Sequence, residues 1–483
     1  MRALTPLRAA LSLLLACCLL SCSGGVGAGG GSGGGTRSDG GGSDAGAPGV
    51  GDRLFPGAGN GGYDVTHYGL DLGYDPASGR LTGTAVISAT ATRPLHSFNL
   101  DLAGLTVTRV TVGGRTAATR RAGTELTVLP SQVLVSGARF ETTVVYAGVP
   151  HTLTDPDGSS EGWFRTDDGA LALGEPVGSM TWFPGNDHPS DKAAYDVTVT
   201  VPDGLTAVSN GELAGTSSAG GRTSFHWHSA EPMATYLATV AIGHFDVTRS
   251  RTSGGLPLYV AVDPRSDDPT TAATLRRIPE ILDWEIGLFG PYPFTSAGAI
   301  VDHLKQDQVD YSLETQTKPV FPGDQAPDAP VVPVDTLVHE LSHQWFGDSV
   351  TPARWQDMWL NEGFASYAEW LWKEHEGGPS LDDSANAAFG YTPNWDFPPA
   401  TPPSADQISA SPVYGRGALV LYELHRTMGD AAFTTLLRTW PAAHRHANAT
   451  TTDFTSFAQH LTPHDLTPLF TTWLYGKAKP SHL

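Results

Sequence analysis

His339-Glu340-Leu341-Ser342-His343-Gln344-Trp345-Phe346-Gly347-Asp348, followed by Trp359-Leu360-Asn361-Glu362-Gly363-Phe364-Ala365, is the stretch from which the rest of the chain is read. Histidines four apart on a helix share a face, one turn above the other. Two neutral imidazoles so placed can both reach one Zn²⁺. Glu340, between them, is placed to hold a water at that metal and take its proton. Eighteen residues separate His343 from Glu362. That gap lets one helix end near Gly347, turn through Val350-Thr351-Pro352, and start a second helix that returns a carboxylate to the metal. Two His and one Glu, with the fourth position left to water, is a catalytic rather than a structural zinc arrangement.

A His-Glu-x-x-His run by itself also arises by chance, on a surface helix with two solvated histidines. Three neighbours argue otherwise. Glu362 has the spacing a third ligand needs. Leu337, Val338, Leu341 and Trp345 predict a partly buried helix, in which His and Glu need partners. Phe364, Ala365, Ala368, Leu371 and Trp372 recur at helical spacing and predict the second helix.

The two runs together resemble the zinc aminopeptidase family of aminopeptidase N and leukotriene A4 hydrolase, gluzincins with a thermolysin-like catalytic domain. The similarity extends from about Tyr63 to Trp473. It implies a multidomain α+β fold: an N-terminal all-β saddle-like domain, then a mainly helical thermolysin-like catalytic domain. It also implies one Zn²⁺ per chain, held by His339, His343 and Glu362, and cleavage of peptides with a free N-terminus.

Other positions enter through the same resemblance. The family carries Gln or Glu eight residues before the aromatic of a Phe-Pro-Cys-like stretch; here Glu175 stands eight before Phe183, and Gly185 replaces the cysteine. Tyr311-Ser312-Leu313-Glu314-Thr315 takes the place of the family's Gly-Ala-Met-Glu-Asn edge strand, with only Glu314 kept. Glu314 and Glu175 are therefore expected to pair with a substrate α-ammonium. In Ser411-Pro412-Val413-Tyr414-Gly415-Arg416-Gly417, Tyr414 matches a tyrosine that faces the zinc. A phenol there can donate a hydrogen bond to an oxyanion. Asp348 and Glu369 are candidates for orienting the zinc histidines.

The chain has 29 basic and 50 acidic residues, a net charge of −21. No basic stretch exists to neutralise phosphates, which argues against nucleic acid as a partner. Arg2 and Arg8, the apolar run Ala9 to Leu20, and Ser21-Cys22 predict a lipoprotein-type signal over residues 1–22, with export and anchoring to a membrane through Cys22, or else plain secretion. All three cysteines, Cys17, Cys18 and Cys22, lie in that segment. No disulfide is then available to the mature chain, and a chain this long can do without one. Residues 23–52, mostly Gly, Ser, Ala and Asp, are expected to be a flexible tether.

From Tyr63 the period is two. Alternating runs at 63–72, 80–92, 105–112, 140–146 and 195–201 predict an all-β domain over about 53–250. Asn210-Gly211 is a hairpin-turn signal between two runs. His226-Trp227-His228 sits on such a run, so both histidines share one strand face, and a strand surface is the better reading than a metal site. From Pro269 the period becomes helical, and residues 251–483 are the expected catalytic domain.

Rival readings keep the zinc motif but change its use. An endopeptidase would need neither Glu314 nor Glu175. Epoxide chemistry has only Asp406, eight before Tyr414, in its favour. A lipid-anchored binding protein with a dead peptidase fold conflicts with the intact His339, Glu340, His343, Glu362 and Tyr414.

Overall fold

Strands dominate as far as Val262, and helices dominate beyond it. The computed structural model describes residues 44–304, 308–323 and 330–483. Its largest sheet has eight strands, in the order 212–219, 222–234, 192–202, 63–75, 80–91, 139–148, 106–112 and 115–116. Every alternating run expected from the sequence is a strand of this sheet. All its pairings are antiparallel except one: Tyr63–Asp75 runs parallel to Lys192–Pro202, with Leu70 beside Val197. The alternation buries Tyr68, Leu70, Leu72, Tyr195, Val197 and Val199 on one face and leaves polar residues on the other, as half-buried strands require.

A second sheet of five strands, in the order 206–209, 240–243, 170–173, 160–165 and 152–154, packs into the same apolar core. Asn210-Gly211 is not a hairpin turn. It joins strand Thr206–Ser209 of the five-stranded sheet to strand Glu212–Ala219 of the eight-stranded one. Buried Asn210 takes the amide of Thr239 on its side-chain oxygen and donates to the carbonyls of Leu237 and Gln316. The signal marks a chain reversal in either setting; long-range hydrogen bonds turned this one into a corner.

The stretch expected to be a loose tether is packed at its C-terminal end. Ala45 bridges Ser97, and Ala47 bridges Gly61. Asp52 is buried and accepts hydrogen bonds from the amides of Leu54, Phe55 and Trp355, while His188 lies at 3.3 Å. Burial raises its carboxyl pKa, but His188 and these amides outweigh burial and hold it at about 2. A Gly-rich composition gives no hint of this, because one carboxylate meeting three amides does the anchoring. Cys22 and the rest of residues 1–43 lie outside the described residues.

A four-stranded sheet, in the order 246–251, 257–262, 297–302 and 320–322, opens the second half. A division at residue 250 would cut its first hairpin. Helices Pro269–Leu275 and Ile278–Phe289 connect its strands 257–262 and 297–302, the second helix closed by Gly290 at φ 96°. Helices Val334–Ser342, Trp359–His375, Leu381–Gly390, Gly417–Met428, Asp430–Ala443, Thr451–His460 and Thr467–Trp473 complete the helical part. Asp44–Leu483 forms one compact unit. Lys192, on a strand of the large sheet, donates to the carbonyls of Asp348 and Ser349, just past the histidine helix. Its burial pulls the ammonium pKa down to about 7, with Asp348 opposing.

Candidate active site

Helix Val334–Ser342 begins after Pro333, whose fixed φ suits a helix start. It buries Leu337, Val338 and Leu341, and this fixes the roll that turns His339 and Glu340 toward the second helix. The helix ends at Ser342, one turn short of Gly347, and His343 caps it with helical φ and ψ. The i, i+4 relation to His339 therefore survives. The chain then reverses through Gly347 at φ 135°. A Cβ at Gly347 would lie 2.1 Å from the Asn361 side chain, so only glycine fits there. Val350–Pro352 pairs with Ala447–Ala449, and Trp359 opens the second helix with Glu362 in its first turn.

The two imidazoles converge on one carboxylate oxygen. Oε2 of Glu362 lies 3.1 Å from Nε2 of His339 and 3.6 Å from Nε2 of His343. Nδ1 of His339 donates to Oε1 of Glu369 at 2.7 Å. Nδ1 of His343 donates to the carbonyl of Phe346 at 3.0 Å. Each Nδ1 is thus engaged by an oxygen acceptor, and each Nε2 faces the same anionic oxygen. Such an arrangement calls for a cation. The pKa of His343 tells the same story: burial lowers it, but Glu362 and Glu314 more than offset burial and lift it to about 9. The ligand atoms of His339, His343 and Glu362 lie within 4.8 Å of one another, so the three residues can hold a metal ion. The N, N, O donor set suits Zn²⁺. Of the two proposed orienting carboxylates, Glu369 touches a histidine. Asp348 meets His343 through its backbone amide, which donates to the His343 carbonyl at 2.9 Å; its carboxyl is buried, and its pKa is pushed up by burial and by Glu314.

Glu340, Glu314 and His343 form a second group of side chains within 4.8 Å, and Glu175, Glu314 and Glu362 a third. Burial raises the Glu340 carboxyl pKa, His339 and His343 oppose it, and Glu314 and Glu362 add to the rise, to about 8. Glu175 is raised well above the usual carboxylate range by burial, then by Glu314 and Glu362. Oε1 of Glu314 accepts from Asn361 at 2.9 Å. Asn361 escaped the sequence reading. It stands beside Glu362, but its partner is 47 residues away, and nothing local marks that contact.

Tyr414 lies in a π-turn, Pro412–Arg416, that opens helix Gly417–Met428. Its ring stacks on that of His339, with centroids 6.1 Å apart and planes at 16°. Burial, then Glu362, Glu175 and Glu314, push the phenol pKa well above its usual value, so it stays a proton donor. The segment expected as an edge strand is not a regular strand. It keeps one bridge, Leu313 to Val320, before a tight turn with Thr317 at φ 70°. Pro319 lies just past that turn and has no amide to donate to a ladder. Glu175, Glu314, His339, Glu340, His343, Glu362, Glu369 and Tyr414 line one cavity of about 440 Å³; Asp348 and Asp406 are not among its lining. His226 and His228 lie elsewhere, on the large sheet, where both contact Oδ1 of Asp196, and His67 contacts Oδ2.

Comparison with known proteins places these features in a family. Residues 329–473 match the profile described as the Peptidase family M1 domain, and residues 64–237 match the Peptidase M1 N-terminal domain. The chain is 28% identical over 329 residues to Aminopeptidase M1 of Arabidopsis thaliana, covering 64% of this chain and 37% of the relative. It is 24% identical over 433 residues to human Endoplasmic reticulum aminopeptidase 1, covering 83% and 46%. It therefore spans less than half the length of these curated relatives. Among solved structures, the M1 zinc metallopeptidase of Deinococcus radiodurans matches with a TM-score of 0.80 and 28% identity, covering 89% of this chain and 98% of that one. A mutant of that enzyme bound to a Tyr-Ser-Ala substrate matches with a TM-score of 0.79, at 28% identity over 89% and 99% of the two chains.

Proposed function

The chain belongs to the peptidase M1 family, whose members are zinc metallopeptidases, and from that premise we propose that it is a Zn²⁺-dependent aminopeptidase. His339, His343 and Glu362 hold the ion, one per chain. Bound there, Zn²⁺ would supply a Lewis acid that polarises the scissile carbonyl and acidifies water. Glu340 takes the proton of the attacking water and passes it to the leaving amine. Tyr414 donates its phenolic hydrogen to the oxygen on which negative charge develops. Glu314, steadied by Asn361, and Glu175 receive the substrate's α-ammonium.

One observation carries the step from peptidase to aminopeptidase. The carboxylates of Glu175, Glu314 and Glu362 come within 4.8 Å of one another, beside the histidines. Glu362 is taken up with the histidines, so the other two remain to bind a cation at a fixed reach from the scissile bond. The Deinococcus relative bound to Tyr-Ser-Ala supports a peptide as substrate.

Turnover of aminoacyl anilides, with and without a chelator and beside an N-acetylated peptide, tests this reading. Free-amine substrates should be cleaved, the chelator should abolish cleavage, and the acetylated peptide should be barely touched. Equal cleavage of the acetylated and free peptides would instead favour an endopeptidase. Zn²⁺ binding with no turnover of any substrate would favour a binding protein. We further propose that residues 1–22 direct export, and that Cys22 becomes the lipidated first residue of the mature chain. A fatty-acid label incorporated by the parent and retained by Cys22→Ser would sink that proposal.

A further inference from the structure

The carboxylates of the cavity do not stop at the two proposed for the α-ammonium. Asp155 and Asp157, in the loop between strands Thr152–Thr154 and Ser160–Arg165, also line it, as does Asp310. Among the described residues, no lysine or arginine lines the cavity. Tyr311 marks how close these groups lie. Its hydroxyl donates to the Ser160 carbonyl at 2.9 Å. Its phenol pKa is pushed up by burial, then by Glu161, Asp155, Glu175 and Asp157, so the acidic wall runs on from Glu175 past one ring.

Turn formation accounts for only part of these carboxylates. Ser159 Oγ donates to Oδ2 of Asp155 and Oδ1 of Asp157, and the Ser159 amide donates to the latter. That explains a tight loop, but not why Glu161, fully buried, stands behind Asp155. Oε2 of Glu161 accepts from the Val177 amide at 2.8 Å, and a side-chain hydrogen bond joins the Glu161 carboxyl to that of Asp155. Burial and the nearness of Asp155 raise the Glu161 carboxyl pKa well above its usual range, and burial raises that of Asp155 to about 6. The Glu161 carboxyl thus keeps its proton and shares it with Asp155, which leaves a single negative charge on the pair. A positive group drawn into this arm of the cavity would meet that charge at Asp155, which lines it.

We propose that this acidic arm takes the side chain of the substrate's first residue and selects lysine and arginine. The proposal rests on the aminopeptidase reading above. With the α-ammonium at Glu314 and Glu175, a long cationic side chain can continue along the same wall past Asp155 and place its charge at Asp157 and Asp310, the exposed end. An acidic first residue would meet only like charge there.

The experiment compares kcat/KM for the arginyl, lysyl, leucyl, alanyl and glutamyl anilides, with the full chain and its zinc. Two exposed positions, Asp157→Asn and Asp310→Asn, are changed singly and together, so folding is not at stake; zinc content is measured alongside. The parent should favour arginine and lysine over leucine by at least about tenfold and treat glutamate worst, as fits a charge-assisted contact. The double variant should lose most of that preference, chiefly through KM, and keep its zinc. Turnover that favours leucine or alanine, or an arginine-to-leucine ratio unchanged in the double variant, would overturn this proposal alone. No turnover of any of the five would overturn the aminopeptidase reading, and this proposal with it.

Discussion

Glu340 lies within the ion site's cluster and Glu369 touches its ligand His339, so the two should fail differently when altered. Glu340→Gln keeps the shape of the side chain but removes the base. It should retain zinc and lose at least about a hundredfold in kcat. Tyr414→Phe should also retain zinc and lose mainly kcat, because its hydrogen bond forms as the oxyanion develops. Glu369→Gln acts one step away, on the proton of His339 Nδ1 at 2.7 Å. A carboxylate in that position raises ligand basicity and fixes the ring. Its loss should weaken zinc affinity by about ten- to a hundredfold, read by titration against a competing chelator. Affinity equal to the parent's would remove Glu369 from that role. Asp302 gives a pH test remote from the metal. It is buried, and burial, with Asp263 nearby, raises its carboxyl pKa to about 8. The folded pKa lies above the unfolded one, so the group's contribution to stability is full below about pH 4 and is lost as pH rises through about 8. Asp302→Asn keeps an acceptor for the His303 amide and cannot ionise. Between pH 5 and pH 9 the parent's melting temperature should fall further than the variant's; parallel curves would contradict this.

Two helices carry the parts of the site that must stay in register. Trp359–His375 brings Glu362, and the π-turn leading into Gly417–Met428 brings Tyr414. They meet glycine to glycine: a Cβ on Gly363 would lie 2.9 Å from the Gly417 carbonyl carbon. Neither backbone can yield without moving a site residue, since Glu362 adjoins one glycine and Tyr414 lies one turn before the other. Gly363→Ala should therefore overpack the crossing at a cost of about 1–3 kcal/mol. It should also lower kcat by shifting the phenol from the oxyanion. A variant with the parent's melting temperature and kcat would show that the crossing has slack. The Leu313 segment shows the opposite economy. Its edge-strand pairing has shrunk to one bridge, yet Glu314 keeps its place because Asn361 and Gln344 hold its side chain and its carbonyl.

Across the whole molecule the charge of −21 and the acidic cavity act together. A cationic substrate should be drawn toward this surface, and salt should weaken the pull, because screening sets in at about 10 Å in 0.1 M salt. kcat/KM for arginyl substrates should fall more steeply with ionic strength than kcat/KM for leucyl ones. Equal slopes would mean that the long-range field adds nothing to selection. The two halves also share the site. Glu175, Asp155 and Asp157 come from the five-stranded sheet and its loops, while the other proposed site residues come from the helical half and the segment leading into it. Lys192 and Asp52 tie the halves together beside the chemistry.

The sequence alone determined whatever depends on local spacing. The four-residue step from His339 to His343, the return of Glu362 on a second helix, the alternating strands from Tyr63 and the helical period from Pro269 are written in neighbouring residues, where 3.6- and 2-residue periods operate. The resemblance added Glu314, Glu175 and Tyr414. Tertiary structure alone decided what depends on contacts between distant residues. Asn210-Gly211 became a corner between two sheets because its partners lie at 237–239 and 316. Residues 44–52 became packed because Asp52 meets Trp355, some three hundred residues later. Asn361 reaches Glu314, and Glu161 stands behind Asp155, through packing that no local period encodes. A turn signal or a lone carboxylate states what a residue can do; only the groups that folding brings against it settle which of those things it does.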